Sequence, residues 1–196
     1  CIRDRSTGVQ SATFGNGNKA AVEGTAIGVG NHATASRGTA LGRSNSAAQE
    51  STAIGYNSSV AGIRSIGIGR NVTASAQSSI AIGDTAKATG SNSVSIGLSS
   101  EADAYRSTAV GYNNTVDAVA LQSSAFGYDN QVSKSNAGAF GFEVLTSGEK
   151  SFGLGYYTTI GVGNVTELGQ YDTDRTRSAA VRINGSSSTR VPVAMT

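Results

Sequence analysis

Chemistry needs reactive groups held together, and this chain of 196 residues carries one histidine, His32, and one cysteine, Cys1. With a single imidazole and a single thiol far apart in sequence, no serine triad, cysteine dyad or histidine metal site is expected within one chain. A lone cysteine also leaves no partner for an intrachain disulfide. The carboxylates Asp84, Glu101, Asp103, Asp117 and Asp129 are scattered and lack the G-G-x-G-x-D spacing of calcium-binding nonapeptide rolls. The stretch Gly28-Val-Gly30-Asn-His-Ala33 imitates a dinucleotide fingerprint, but no helix pattern follows it. The chain therefore reads as no enzyme, with no metal and no cofactor.

Charge narrows the partners. Fifteen Lys and Arg against thirteen Asp and Glu give a net charge of +2, too weak for a nucleic-acid surface. Arg175, Arg177, Arg182 and Arg190 near the end are offset by Glu167, Asp172 and Asp174, which reads as a solvated mixed-charge face. No stretch reaches 18 apolar residues and no basic-then-apolar leader opens the sequence, so neither membrane insertion nor a signal peptide is expected of it. Five Asn-x-Ser/Thr triplets, at Asn57, Asn71, Asn113, Asn164 and Asn184, follow from a composition rich in Asn, Ser and Thr.

Aromatic residues are scarce: seven Tyr, five Phe and no Trp. Four of the tyrosines, Tyr56, Tyr112, Tyr128 and Tyr156, directly follow a glycine that ends a recurring five-residue unit, Ser-x-Ala-aliphatic-Gly. Eleven copies of that unit end at Gly15, Gly28, Gly42, Gly55, Gly69, Gly83, Gly97, Gly111, Gly127, Gly141 and Gly155. The spacing is 13 or 14 residues, with one interval of 16 between Gly111 and Gly127. Such a period is too regular for chance and too short for helical repeats, and it predicts a β-solenoid with one coil per copy.

Each period holds a second, weaker segment, such as residues 18–22, 31–36, 71–76, 85–90 and 100–104. Two strands of four to five residues with two tight turns account for 14 residues, whereas a helix leaves no room for a strand. Alternation in the first strand sorts its side chains onto two faces. One face carries the bulkiest residue of each copy: Phe14, Ile27, Leu41, Ile54, Ile68, Ile82, Ile96, Val110, Phe126, Phe140 and Leu154. Two residues earlier on that face come Thr25, Thr39 and Thr52, then Ile66, Ile80 and Val94. The other face holds only small groups, such as Ser51, Ala53 and Gly55, and is expected to pack on the second strand in a thin roll. The aliphatic face then forms a stripe about 50 Å long at a strand spacing of about 4.8 Å, which a soluble monomer does not leave in water. Self-association is expected along it.

The S-x-A-I-G unit at 14-residue spacing resembles the head repeat of the YadA-like trimeric autotransporter adhesins, over residues 11 to about 155, and also resembles segments of some phage tail fibres. The resemblance implies an all-β, left-handed parallel β-roll solenoid of about eleven 14-residue coils. It implies a homotrimer whose core is Ile27, Leu41, Ile54, Ile68, Ile82, Ile96, Val110, Phe126, Phe140 and Leu154. It further implies a non-enzymatic, extracellular fibre segment on a bacterial surface or a virion tail fibre, attaching to a host surface protein or glycan receptor. The alternative is a purely structural spacer of such a fibre. The family's neck pattern and heptads are not visible after residue 155.

The organisation expected is an N-terminal cap or connector at 1–10, β-roll head repeats at 11–157 and a small C-terminal β module at 158–196. In that last segment Asn184-Gly185 stands between alternating stretches at 178–183 and 189–194, a hairpin signal. The four tyrosines share one phase and are expected on one longitudinal line, a candidate ligand-binding ladder. Phe126, Phe140, Phe142, Phe152 and Tyr156 thicken the last coils, as a wider axis or a plug. The two extra residues near 116–120 map to a loop, where repeat proteins often bind. His32 is expected on the surface. Two competing readings have less behind them. Six-residue acyltransferase rungs do not match a 14-residue coil, and an ice-binding threonine line breaks at Ile66.

Overall fold

Every Ser-x-Ala-aliphatic-Gly unit forms a five-residue strand, from Ala12–Asn16 and Thr25–Val29 through to Phe152–Tyr156. The computed structural model describes residues 4–161, 163–170 and 181–184. These strands lie parallel and in register at the period of the sequence, so that Ile54 stands opposite Ile68 and Ile68 opposite Ile82. A second parallel sheet, made of short strands such as Lys19–Ala20, His32–Ala33 and Ser59–Val60, runs along the other side. The result is a parallel β-solenoid with one long and one short strand per coil.

The short strands have two residues, not the four to five expected. In the coil that starts at Thr52, residues 57–58 and 61–65 are turns flanking Ser59–Val60. Both turns contain a residue in the left-handed region, Asn57 at φ 54° and Arg64 at φ 59°, which ends the extended run on either side. These conformations recur at the same phase in every coil and are locked by bonds to the neighbouring coil. Asn71 N donates to Tyr56 O at 2.9 Å and Ser78 N to Ile63 O at 2.9 Å.

The core lies between the sheets and is one or two small side chains thick. Ala40, Ala53, Ala81 and Ala109 from the long strands meet Ala47, Val60, Ala88 and Val116 from the short ones, all fully buried. Volume is traded across the gap. Where the short strand carries Val60, the facing long-strand position is Gly67, and a Cβ there would lie 2.4 Å from Val60 Cγ2. At Gly153 a Cβ would lie 2.7 Å from Cγ1 of Val144, the residue just before the short strand Leu145–Thr146, and 3.1 Å from Thr146 Oγ1.

The glycine that closes each unit is needed for its backbone. At Gly83, φ is +138° and a Cβ would fall 2.1 Å from the carbonyl oxygen of Gly97 in the next coil. No other residue combines that φ with so close an approach. Three positions later, buried asparagines bind the carbonyls of this tight corner. Asn31 Nδ2 donates to Ile27 O at 2.9 Å and to Gly42 O at 2.6 Å, while its Oδ1 accepts from Asn45 N at 3.1 Å and Asn45 Nδ2 at 3.0 Å. Asn18, Asn31 and Asn45 form one such ladder, and Asn114 and Asn130 a second.

At the two ends the pairing runs past the eleven copies. Arg5–Ser6 pairs parallel with Lys19–Ala20. Val165–Gln170 pairs parallel with Phe152–Tyr156, placing Leu168 opposite Leu154 and Gly169 opposite Gly155. Val181–Asn184 then pairs antiparallel with residues 165–168. Gly185 of the expected turn and residues 189–194 lie outside the described residues.

Candidate functional site

The residue after each repeat glycine closes the long strand and sits at the edge of its sheet, so equal phase becomes one line along the solenoid. In register this line reads Arg43, Tyr56, Arg70, Asp84, Leu98, Tyr112, Tyr128, Phe142 and Tyr156. Tyr112 stacks on Tyr128 with ring centroids 4.7 Å apart and planes 7° from parallel. Tyr128 stacks on Phe142 at 4.5 Å and 3°, and Phe142 on Tyr156 at 4.9 Å and 22°. Tyr157 meets the edge of Tyr156 at 4.3 Å and 83°.

Three of the four candidate tyrosines are thus joined, and the rung between Tyr128 and Tyr156 is Phe142. The sequence held that signal, since Phe142 follows Gly141 in the same phase, but a line defined by tyrosine alone passes over it. Tyr56 stands apart, 45% exposed, between Arg43 and Arg70, with the Arg43 guanidinium 5.6 Å from its ring centroid. The ring faces of the stacked group are turned to one another, so the line offers solvent mainly edges and hydroxyls.

The electrostatics around this line follow the same one-coil spacing. Arg70 ion-pairs with Asp84, its in-register neighbour, and the hydrogen bond between them raises the guanidinium's already high pKa. Tyr157 is pushed up to about 12, first by its hydrogen bond with Tyr156. Arg37 contacts Glu50 at 2.6 Å and Glu23 at 3.9 Å, and Lys87 contacts Glu101 at 3.0 Å. Such exposed pairs each contribute under about 1 kcal/mol. Asp103 is different: partial burial raises its pKa against the opposing hydrogen bond from Thr89 Oγ1.

The aliphatic stripe lies on the outer face of the long-strand sheet. Ile27, Leu41, Ile54, Ile68, Ile82, Ile96, Val110, Phe126, Phe140 and Leu154 follow one another in register, and none of them is buried within the chain. Ile27 is 41% exposed and Phe140 50%. Phe126 and Phe140 contact each other on this face, 6.0 Å apart. Phe152 covers Gly138, where a Cβ would lie 2.6 Å from Phe152 Cδ2. Phe142 and Tyr156 belong to the edge ladder, so the aromatic residues of the last coils split into two groups.

The extra residues of the long coil lie in the turn after Thr115–Val116. There Val119 and Leu121 are exposed one coil from the exposed Tyr105. Ser135 holds the loop, its hydroxyl donating to Val119 O at 3.0 Å and accepting from Leu121 N at 3.2 Å. His32 is half-buried on its short strand instead of fully on the surface. Among the described residues no three His, Cys, Asp or Glu side chains are grouped to hold a metal ion, and no helix is long and apolar enough to cross a membrane.

A family model for the YadA head domain repeat (2 copies) matches residues 20–45, 46–71, 74–100 and 88–114. No curated protein matches the chain.

Proposed function

We propose that this chain, whose coils between residues 20 and 114 match the YadA head domain repeat, is a non-enzymatic segment of a homotrimeric fibre that attaches to a host or cell surface. The observation that carries the reading is the uncovered stripe from Ile27 to Leu154. A continuous apolar line of that length needs a partner along its whole run, and identical copies supply one in matching register. YadA-like heads are trimeric adhesins, and three stripes meeting on an axis leave the short-strand sheets and both turn edges facing outward.

Attachment then works by multiplicity. Three chains with repeating coils present many equivalent weak contacts, and linking them raises the effective concentration of each after the first has bound. The receptor is a surface protein or glycan, and the setting is a bacterial cell surface or a virion tail fibre. Tyr56, with one ring face beside Arg43, is the tyrosine of the candidate set with most surface to offer.

One observation favours the second reading, a structural spacer. Tyr112, Tyr128, Phe142 and Tyr156 occupy one another's faces, which stiffens the edge without a ligand. Light scattering after size exclusion tests the assembly on which both readings depend. Three times the chain mass is expected, and a folded monomer overturns the axial stripe. Binding of the assembled trimer to host cells then separates attachment from spacing.

A further inference from the structure

The outer row of the short-strand sheet has an unusual start. In register it runs Arg5, Lys19, His32, Ser46, Ser59, Thr73, Lys87, Glu101 and Thr115. Lower in the row Lys87 faces Glu101 in the next coil and pairs with it at 3.0 Å. At the start Lys19 faces Arg5 on one side and His32 on the other, and among the described residues none of these three makes an ion pair. Placing like charges opposite one another at a strand spacing of about 4.8 Å is electrostatically unfavourable.

The three side chains line an open cleft of about 550 Å³ together with Asp4 and Gly17. Asp4 does not neutralise them directly. Its Oδ1 accepts hydrogen bonds from Asn18 N at 3.0 Å and Asn18 Nδ2 at 3.1 Å, which ties it to the end of the buried asparagine ladder. The cleft is therefore a line of two fixed cations and an imidazole that, among the described residues, has no ion-paired counter-charge.

We infer that this row is a binding site for the anionic groups of a sulfated glycan chain. A linear chain with successive sulfates matches cations that repeat along one axis, and the arginine fork suits the oxygens of a sulfate. A single-stranded nucleic acid would need a run of aromatic rings for its successive bases, and the lining supplies a single imidazole, His32. A bilayer would need apolar side chains beside the charges, and the lining has none. The inference rests on the attachment reading for its setting, because the short-strand sheet stays outside when the stripe is covered, and a trimer then carries three such rows.

The test uses the full chain on immobilised heparin and on heparin stripped of its sulfates. The variants are Arg5→Gln, Lys19→Gln and Lys87→Gln, each removing one positive charge from the same row. Binding to heparin that is lost without sulfates, and weakened about tenfold or more by Arg5→Gln or Lys19→Gln but under about twofold by Lys87→Gln, is the expected result. No binding to heparin, or an equal loss for all three variants, overturns the site. Light scattering on the same samples keeps the two readings apart. An assembled trimer that ignores heparin overturns the site alone, whereas a monomer that binds through Arg5 and Lys19 keeps the site and overturns the fibre.

Discussion

Tyr128 and Phe142, one coil apart, stack with ring centroids 4.5 Å apart and planes 3° from parallel. The same Phe142 ring meets Tyr156 on its far side at 4.9 Å and the edge of Tyr157 at 5.5 Å, so removing it breaks two stacked contacts and an edge contact at once. Aromatic pairs contribute about 0.5–1.5 kcal/mol each. Phe142→Ala is expected to lower stability by about 1–3 kcal/mol in chemical denaturation, and Tyr56→Ala, which has no ring partner, by less than about 1 kcal/mol. Equal losses would mean that the ladder adds nothing beyond burial.

Volume exchange between the sheets gives a second prediction. Gly67 carries no Cβ because Val60 fills its space. Gly67→Ala alone overpacks the core and is expected to cost about 1–3 kcal/mol, and Val60→Ala alone leaves a void. Combined, they recreate the Ala-on-Ala packing of Ala47 and Ala53, and the double variant is expected to be more stable than the sum of the two losses. A double-mutant cycle from urea melts reads the difference, and strict additivity would show that the two sites do not share the space.

Asn31 is fully buried and binds the carbonyls of Ile27 and Gly42 while accepting from Asn45. Asn31→Ala leaves those groups without their partner in a dry interior, and unsatisfied buried groups cost about 1–3 kcal/mol each. A loss above about 2 kcal/mol is expected by thermal melting, with Asn45 losing its ladder contact as well. A change near zero would show that water replaces the amide.

These cases separate what was legible from what was not. The glycine period, the two faces of the long strand and the outward stripe were all written in side-chain size, because a solenoid repeats one environment at one phase. Less visible were features set by backbone contacts between coils. The short strand is cut to Ser59–Val60 by the left-handed residues Asn57 and Arg64, neither of which stands out in a sequence rich in polar turns. Asn31 looks like any turn asparagine until the corner carbonyls are placed around it. The strand at Val165–Gln170 escaped the pattern because Glu167 stands where the other copies carry Ala, Gly, Ser or Thr, although Leu168 and Gly169 keep the phase.

Asp103 gives a pH-dependent prediction. Burial raises its pKa above the ordinary 3.8, with Glu101 adding to the rise and Thr89 and Lys87 opposing it. A carboxyl whose pKa is higher folded than unfolded favours the folded state when protonated, and that contribution is lost as pH rises from the ordinary value through the raised one. Asp103→Asn keeps an acceptor for Thr89 and removes the charge. It is expected to be slightly more stable than the parent at pH 7, with the advantage fading toward pH 3. A variant equally destabilised at both pH values would make the carboxylate itself a stabilising group.

The stripe carries the strongest prediction, because assembly depends on it. Ile68 and Ile82 stand opposite each other in register on the outer face. Ile68→Asp with Ile82→Asp leaves the inner Ala and Gly packing of one chain untouched, since both side chains point away from it. In a trimer the two substitutions place six carboxylates against one apolar axis. Burying each unpaired charge costs several kcal/mol, more in sum than the 5–15 kcal/mol that holds an ordinary domain together. The variant is therefore expected to lose the trimer mass in light scattering, while Thr73→Asp on the outward short-strand sheet keeps it. A folded trimer carrying both aspartates would place the stripe away from the axis and move the subunit contact to another face.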